Sequence, residues 1–195
     1  MRHLLPLVLL ASLTACGGAG NPGTTDADPG TRYGLGRPAD VQLVARLDTD
    51  IDPSGAALPA GRGTAAEGAV LYAAQCAMCH GAEGLGMPPA FPRLLGRDPK
   101  AEDFAFADDP KLQKTIGNYW PYATTLFDYI RRAMPLTAPG SLTDDQVYAL
   151  TAYLLAADGV IPKESTLDAA SLAAVKMPYT DRFIWSADAG SPDRD

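Results

Sequence analysis

The chain has 195 residues, a formal net charge of −7 and 47% hydrophobic residues, which suits one domain of ordinary size with tails. Such an acidic balance disfavours nucleic acid as a partner and favours a basic docking face on another protein. Nineteen glycines and seventeen prolines imply long irregular segments, and no apolar run reaches the roughly 18 residues that a membrane-spanning helix needs.

The chain opens with Arg2, an apolar stretch over residues 4–13, and then Leu13-Thr14-Ala15-Cys16. Residues 1–15 read as an export signal. The last four residues resemble a bacterial lipobox, in which small residues precede a cysteine that is acylated and becomes the new N-terminus. Cys16 is therefore the expected lipidation site, and the chain is expected in the bacterial periplasm, held to a membrane by acyl chains. An ordinary signal peptide with an incidental cysteine is the alternative. Losing Arg2 with the leader makes the remaining chain one unit more acidic. Residues 16–31 are Gly, Pro, Asp and Thr with little that is apolar, the composition of a flexible tether.

Residues 32–63 combine apolar positions (Val41, Leu43, Val44, Leu47, Ile51, Leu58) with Gly and Pro at a density that argues against a long helix. They read as an ordered arm, with a turn at Pro53-Ser54-Gly55. Two placements stay open: packed on its own domain, or wrapped around a partner. Thr64-Ala65-Ala66-Glu67 is a capping box, so a helix starts there and runs to about Gln75, with Gly68 and Tyr72 one turn apart on one face.

That helix delivers Cys76-Ala77-Met78-Cys79-His80. C-x-x-C-H is the spacing at which two thiols add to the two vinyl groups of one haem and the next residue ligates the iron. Two intervening residues let one helical turn present both sulfurs to one edge of a porphyrin, with the imidazole beneath the iron. A dithiol redox pair or half of a zinc site is the competing reading, but zinc needs further Cys or His ligands. The remaining candidates are Cys16 and His3, both within or next to the leader. One covalent haem c follows, and with it a resemblance to class I cytochromes c.

The loop after His80 carries Pro92-Arg93-Leu94. The resemblance implies that the Pro92 carbonyl accepts the second N–H of the ligand histidine, a bond that fixes ring orientation and raises ligand basicity. Asp109-Pro110 predicts a short helix through about Ile116. The block Tyr119-Trp120-Pro121-Tyr122 places three aromatics in four positions, to be buried against the haem or in an aromatic minicore. Helix is expected over residues 125–132, then Met134-Pro135. A second capping box at Leu142-Thr143-Asp144-Asp145-Gln146-Val147 opens a helix that ends near Gly159, with Val147, Leu150, Thr151 and Leu154 inward and Tyr153 crossing near Gly68. A helical patch around 168–175 lies in a C-terminal extension, residues 161–195, whose Met177, Tyr179, Phe183, Ile184 and Trp185 are too apolar for free solvent.

With His3 in the leader, two-histidine ligation is excluded, so the sixth iron ligand is a methionine or the position is open. Met78 lies inside the motif and Met87 in the loop just after it. Met134, between two helices and before a proline, resembles the distal ligand segment of class I cytochromes c and is the first candidate; Met177 also precedes a proline but follows the last core helix. His/Met ligation raises the haem potential and leaves no vacant position for a substrate.

The likeness extends beyond the haem motif. Tyr33-Gly34-Leu35-Gly36-Arg37-Pro38, Asp50-Ile51-Asp52-Pro53, Leu58-Pro59, residues 117–129, Arg131-Arg132-Ala133-Met134-Pro135 and Leu142-Thr143 through Tyr153-Leu154-Leu155 together resemble the cytochrome c subunits of molybdenum sulfite and sulfane dehydrogenases of periplasmic sulfur oxidation. The resemblance implies an all-α class I cytochrome c fold over residues 64–160, with an irregular N-terminal arm and a C-terminal tail. It also implies that a molybdenum subunit donates electrons, which this chain passes to another cytochrome or an oxidase. No acid–base pair or metal triad is evident in the sequence to give the chain a catalytic centre besides the haem. The alternative is a free-standing, lipid-anchored carrier with no dedicated dehydrogenase.

Overall fold

A computed structural model describes residues 38–184. The expected export signal, Cys16, the tether and the end of the tail lie outside the described residues. Residues 38–46 form a unit of their own. It contains most of helix α1 (Val41–Leu47), which starts where the Asp40 carboxylate accepts the Gln42 and Leu43 N–H groups.

In the second unit, Thr64 opens helix α2 (Ala65–Gln75) as the sequence requires. Its hydroxyl accepts the Glu67 N–H, and the Glu67 carboxylate accepts the Thr64 N–H at 2.8 Å, which holds that carboxyl below its ordinary range. The other long helix, α6 (Asp144–Ala157), has the same device in Thr143 and Gln146. The two helices cross where α2 has no side chain. A Cβ on Gly68 would stand 1.9 Å from the Ala149 carbonyl oxygen and 2.7 Å from the Tyr153 Cβ. One turn on, Tyr72 is buried with its ring 5.1 Å from that of Tyr153.

Helix α5 (Ala123–Ala133) adds Leu126, Phe127 and Ile130 to the core, with Phe127 against Tyr148 at 4.5 Å between ring centres. Val147, Leu150, Thr151 and Leu154 of α6 are all buried, the face the sequence assigns inward. Gly159, with φ of +70°, follows the end of α6.

Arm and tail complete this core. In residues 47–63, Ile51 is 2% exposed and its N–H donates to the buried Asp128 carboxylate at 3.0 Å. Tyr148 donates its hydroxyl to the Pro59 carbonyl at 2.8 Å, and the Asp145 carboxylate accepts the Arg62 N–H. Residues 47–63 thus pack on the helices of their own chain. Strand β1 (Arg62–Thr64) then pairs antiparallel with β2 (Thr166–Asp168), Gly63 opposite Leu167. Three-residue strands carry no readable period, so this small sheet is an addition to the expected helices. Asp168 caps helix α7 (Ala169–Ala173), shorter than the 168–175 patch expected there; Leu167, Leu172 and Met177 are buried.

One expected element is corrected. Asp109 caps a single turn, accepting the Lys111 N–H, and no helix reaches Ile116 from it. The Asn118 side chain instead accepts the Thr115 N–H and donates to the Gln113 carbonyl, and so begins a new short helix, α4 (Ile116–Tyr119). Among the described residues no helix is long and apolar enough to cross a membrane.

Gly68→Ala is expected to destabilise the fold by about 1–3 kcal/mol, the usual cost of forcing atoms into a filled interior, read as a lower urea midpoint. A second expectation concerns alkali. Burial pushes the Tyr148 hydroxyl up to about 12, whereas the unfolded chain releases that proton near pH ~10. The folded state therefore holds the proton more tightly, and this contribution is whole below pH ~10 and lost as the pH rises toward ~12. Tyr148→Phe should flatten that decline in a pH series of unfolding curves.

Candidate haem-binding site

Cys76 ends α2 and begins a one-turn helix, α3 (Ala77–His80). Its carbonyl accepts both the Cys79 N–H at 3.0 Å and the His80 N–H at 2.9 Å. Cys76, Cys79 and His80 are thereby wound onto one turn, three and four residues apart. Both thiols are free and partly exposed. Burial, and then the neighbouring Cys79, push the Cys76 thiol above its ordinary value. This is the reverse of the low-pKa thiolate that a redox-active pair uses.

His80 is oriented from behind. Its Nδ1 lies 3.2 Å from the Pro92 carbonyl oxygen. A carbonyl can only accept, so Nδ1 carries the proton and the Nε2 lone pair is left for a metal. The loop that brings Pro92 there is tied at several points. The Gly86 N–H donates to the His80 carbonyl at 2.8 Å, the Gly84 N–H to the Gly81 carbonyl at 3.1 Å, and the Leu94 and Leu95 N–H groups to the Gly84 carbonyl at 2.8 and 3.0 Å. Gly86 is required: with φ of +74°, a Cβ there would sit 2.7 Å from the backbone of Pro92 and Arg93. At the far end the buried Asp158 carboxylate accepts the N–H groups of Gly96 and Gly117, fastening the loop and α4 to the end of α6.

The Phe91 ring meets the His80 ring edge-on at 6.3 Å, and Leu94, Trp120, Met134 and Cys76 are partly buried against the core. The aromatic block divides. Tyr119 stacks on Phe104 at 5.6 Å, within a cluster that also holds Phe106, Tyr179 and Phe183, the minicore alternative. Trp120 donates its indole N–H to the Thr125 hydroxyl.

The methionines differ in placement. Met78 is 76% exposed and Met87 44%, whereas Met177 is buried in the packing of the tail at 5%. Met134 is half-buried at the C-terminus of α5, where its N–H still donates to Ile130. Just before it, Arg131 donates to Asp144 at 2.9 Å, joining the end of α5 to the start of α6. Two free thiols, an imidazole with its outer nitrogen available and a half-buried thioether are the donor set that haem c takes. Thr115, next to an Ile116 N–H that donates to Leu94, adds a buried hydroxyl without a hydrogen-bond partner among the described residues. The residues present fit the group.

Sequence reasoning missed two parts of this site. The sequence places Tyr72 only on the Gly68 face of its helix, whereas its hydroxyl donates to the Gly81 carbonyl at 2.9 Å; nothing in sequence says how far a side chain reaches across a turn. Asp158 carried a signal, because an acidic residue at a helix C-terminus opposes the helix dipole and so implies donors nearby.

The cytochrome c family pattern matches residues 65–158. A chain of the sulfane dehydrogenase SoxCD from Paracoccus pantotrophus superposes with a TM-score of 0.67 and 35% identity, over 80% of this chain and 73% of that one. The thiosulfate dehydrogenase of Stutzerimonas stutzeri (strain A1501) is 28% identical over 125 residues, 62% of this chain and 36% of that protein. The chain thus spans about a third of the length of that curated relative.

Met134→Ala tests the thioether. The expected outcome is a chain with haem still attached through Cys76 and Cys79 that has lost the near-infrared sulfur-to-iron band of the oxidised protein. A surviving band would transfer the ligand role to another methionine.

Proposed function

This chain belongs to the cytochrome c family, and on that premise we propose that it is a monohaem electron-transfer subunit. It takes single electrons from a molybdenum-containing sulfite or sulfane dehydrogenase and passes them to a downstream cytochrome or oxidase. The observation that carries the reading is the likeness to a chain of a sulfane dehydrogenase over 73% of that chain's length, at 35% identity. Bound through Cys76 and Cys79 and ligated by His80 and Met134, haem c supplies a one-electron couple. The chain's own residues do the rest. The Pro92 carbonyl holds the Nδ1 proton and sets the ring. The α5 terminus presents Met134. Two-electron oxidation of a sulfur centre at the partner is then drawn off in two successive single-electron deliveries.

Location follows from residues 1–16: export to the bacterial periplasm and anchorage through an acylated Cys16. A second reading has specific support. Residues 47–63 and the tail pack on this chain's own helices, so neither needs a partner in order to fold, as befits a free-standing, lipid-anchored carrier.

The experiment mixes the full-length oxidised protein with a molybdenum-containing sulfite dehydrogenase subunit and follows sulfite-dependent haem reduction by stopped flow. Reduction within the time of turnover, slowed by added salt as acidic and basic faces are screened, is the expected result. A haem that stays oxidised with sulfite and that subunit, yet accepts electrons from a chemical reductant, would leave the free-standing carrier in its place.

A further inference from the structure

We propose that Tyr72 is a positioning residue for His80, acting through its hydroxyl rather than its ring; this rests on the reading of His80 as the haem ligand. The argument is a closed circuit of hydrogen bonds. The chain leaves His80 through Gly81, whose carbonyl accepts the Gly84 N–H. The Gly84 carbonyl accepts Leu94 and Leu95, which sets Pro92, and the Pro92 carbonyl returns to His80 Nδ1. The circuit is backbone and one ring nitrogen; Gly84 and Leu95 are buried, but Gly81 and Leu94 are half-buried and Pro92 is exposed. A loop with exposed members and no helix or strand of its own opens locally unless it is tied down.

Tyr72 ties this circuit to the close-packed crossing of α2 and α6. Its ring is wedged in the crossing of α2 and α6, 2% exposed and 5.1 Å from Tyr153. Its hydroxyl reaches out of the crossing to donate to Gly81 at 2.9 Å. A phenylalanine would fill the crossing equally well, so packing does not explain the hydroxyl. The hydroxyl has an effect at one place, the carbonyl one residue beyond the ligand, and it works by damping opening of the turn and so keeping the Pro92 bond to His80 short.

The test uses the holoprotein, with covalent haem confirmed by its absorption spectrum, and compares Tyr72→Phe with Tyr153→Phe. In Tyr72→Phe, amide hydrogen exchange at Gly84, Leu94 and Leu95 should quicken about fivefold, the factor that one net hydrogen bond represents, while exchange at Leu154 and Leu155 in α6 stays unchanged. The midpoint potential should rise, because a looser Nδ1 proton makes the imidazole a weaker donor to ferric iron. Tyr153→Phe keeps the ring contact and should move neither readout. The proposal is overturned if loop exchange and potential in Tyr72→Phe match the unaltered protein. It is equally overturned if the α6 amides quicken by the same factor, which is general destabilisation, or if Tyr153→Phe produces the same changes. An unaltered chain that carries no covalent haem would fail the ligand reading itself, and that result is visible before any variant is compared.

Discussion

The close approach of α2 and α6 at Gly68 is the constraint on which the rest of the structure depends. With the Ala149 carbonyl occupying the space of a side chain, the separation of the two helices at this point is set by backbone rather than by deformable side chains. Everything in the site is counted from that point: Tyr72 one turn along, Cys76 at the end of the same helix, and the single turn that carries Cys79 and His80. A site built this way inherits the stiffness of its longest helices, which is the condition for holding ligands within narrow geometric limits.

Polar accounting gives the irregular segments their order. Two buried carboxylates, Asp128 and Asp158, accept backbone N–H groups from segments with few ladder partners of their own: Ile51 of the arm in one case, Gly96 and Gly117 in the other. A buried acceptor of this kind is costly unless satisfied, so each fixes its segment in a single position. Asp128 is further balanced by Arg132 one turn along α5. The arm and the ligand loop are thus held by the same physical means, one by a carboxylate within α5 and the other by a carboxylate at the end of α6.

Much of this was legible in the sequence because the signals are short-range. Capping boxes at Thr64 and Thr143 define where α2 and α6 begin, since both partners of each box lie within one turn. The pentapeptide from Cys76 to His80 points to its chemistry by spacing alone. The turn at Asp109 misled because a competing box at Thr115 and Asn118 is equally local, and only one can organise the intervening residues. The β1–β2 pairing, the docking of Ile51 and Met177, and the reach of the Tyr72 hydroxyl depend on segments that meet only after the chain has closed on itself, and no window of sequence contains both partners.

That closure has a kinetic side. Gly63 and Leu167 face each other across roughly a hundred intervening residues, so the sheet is a clasp that fastens the two ends of one long loop, and the haem motif and Met134 both lie inside it. Joining such distant points costs more chain entropy than forming the turns within, and contacts of long sequence separation are the slow ones. Chain entropy therefore favours the local turns ahead of the clasp, and when the clasp shuts it fastens the start of α2 to the segment that follows α6.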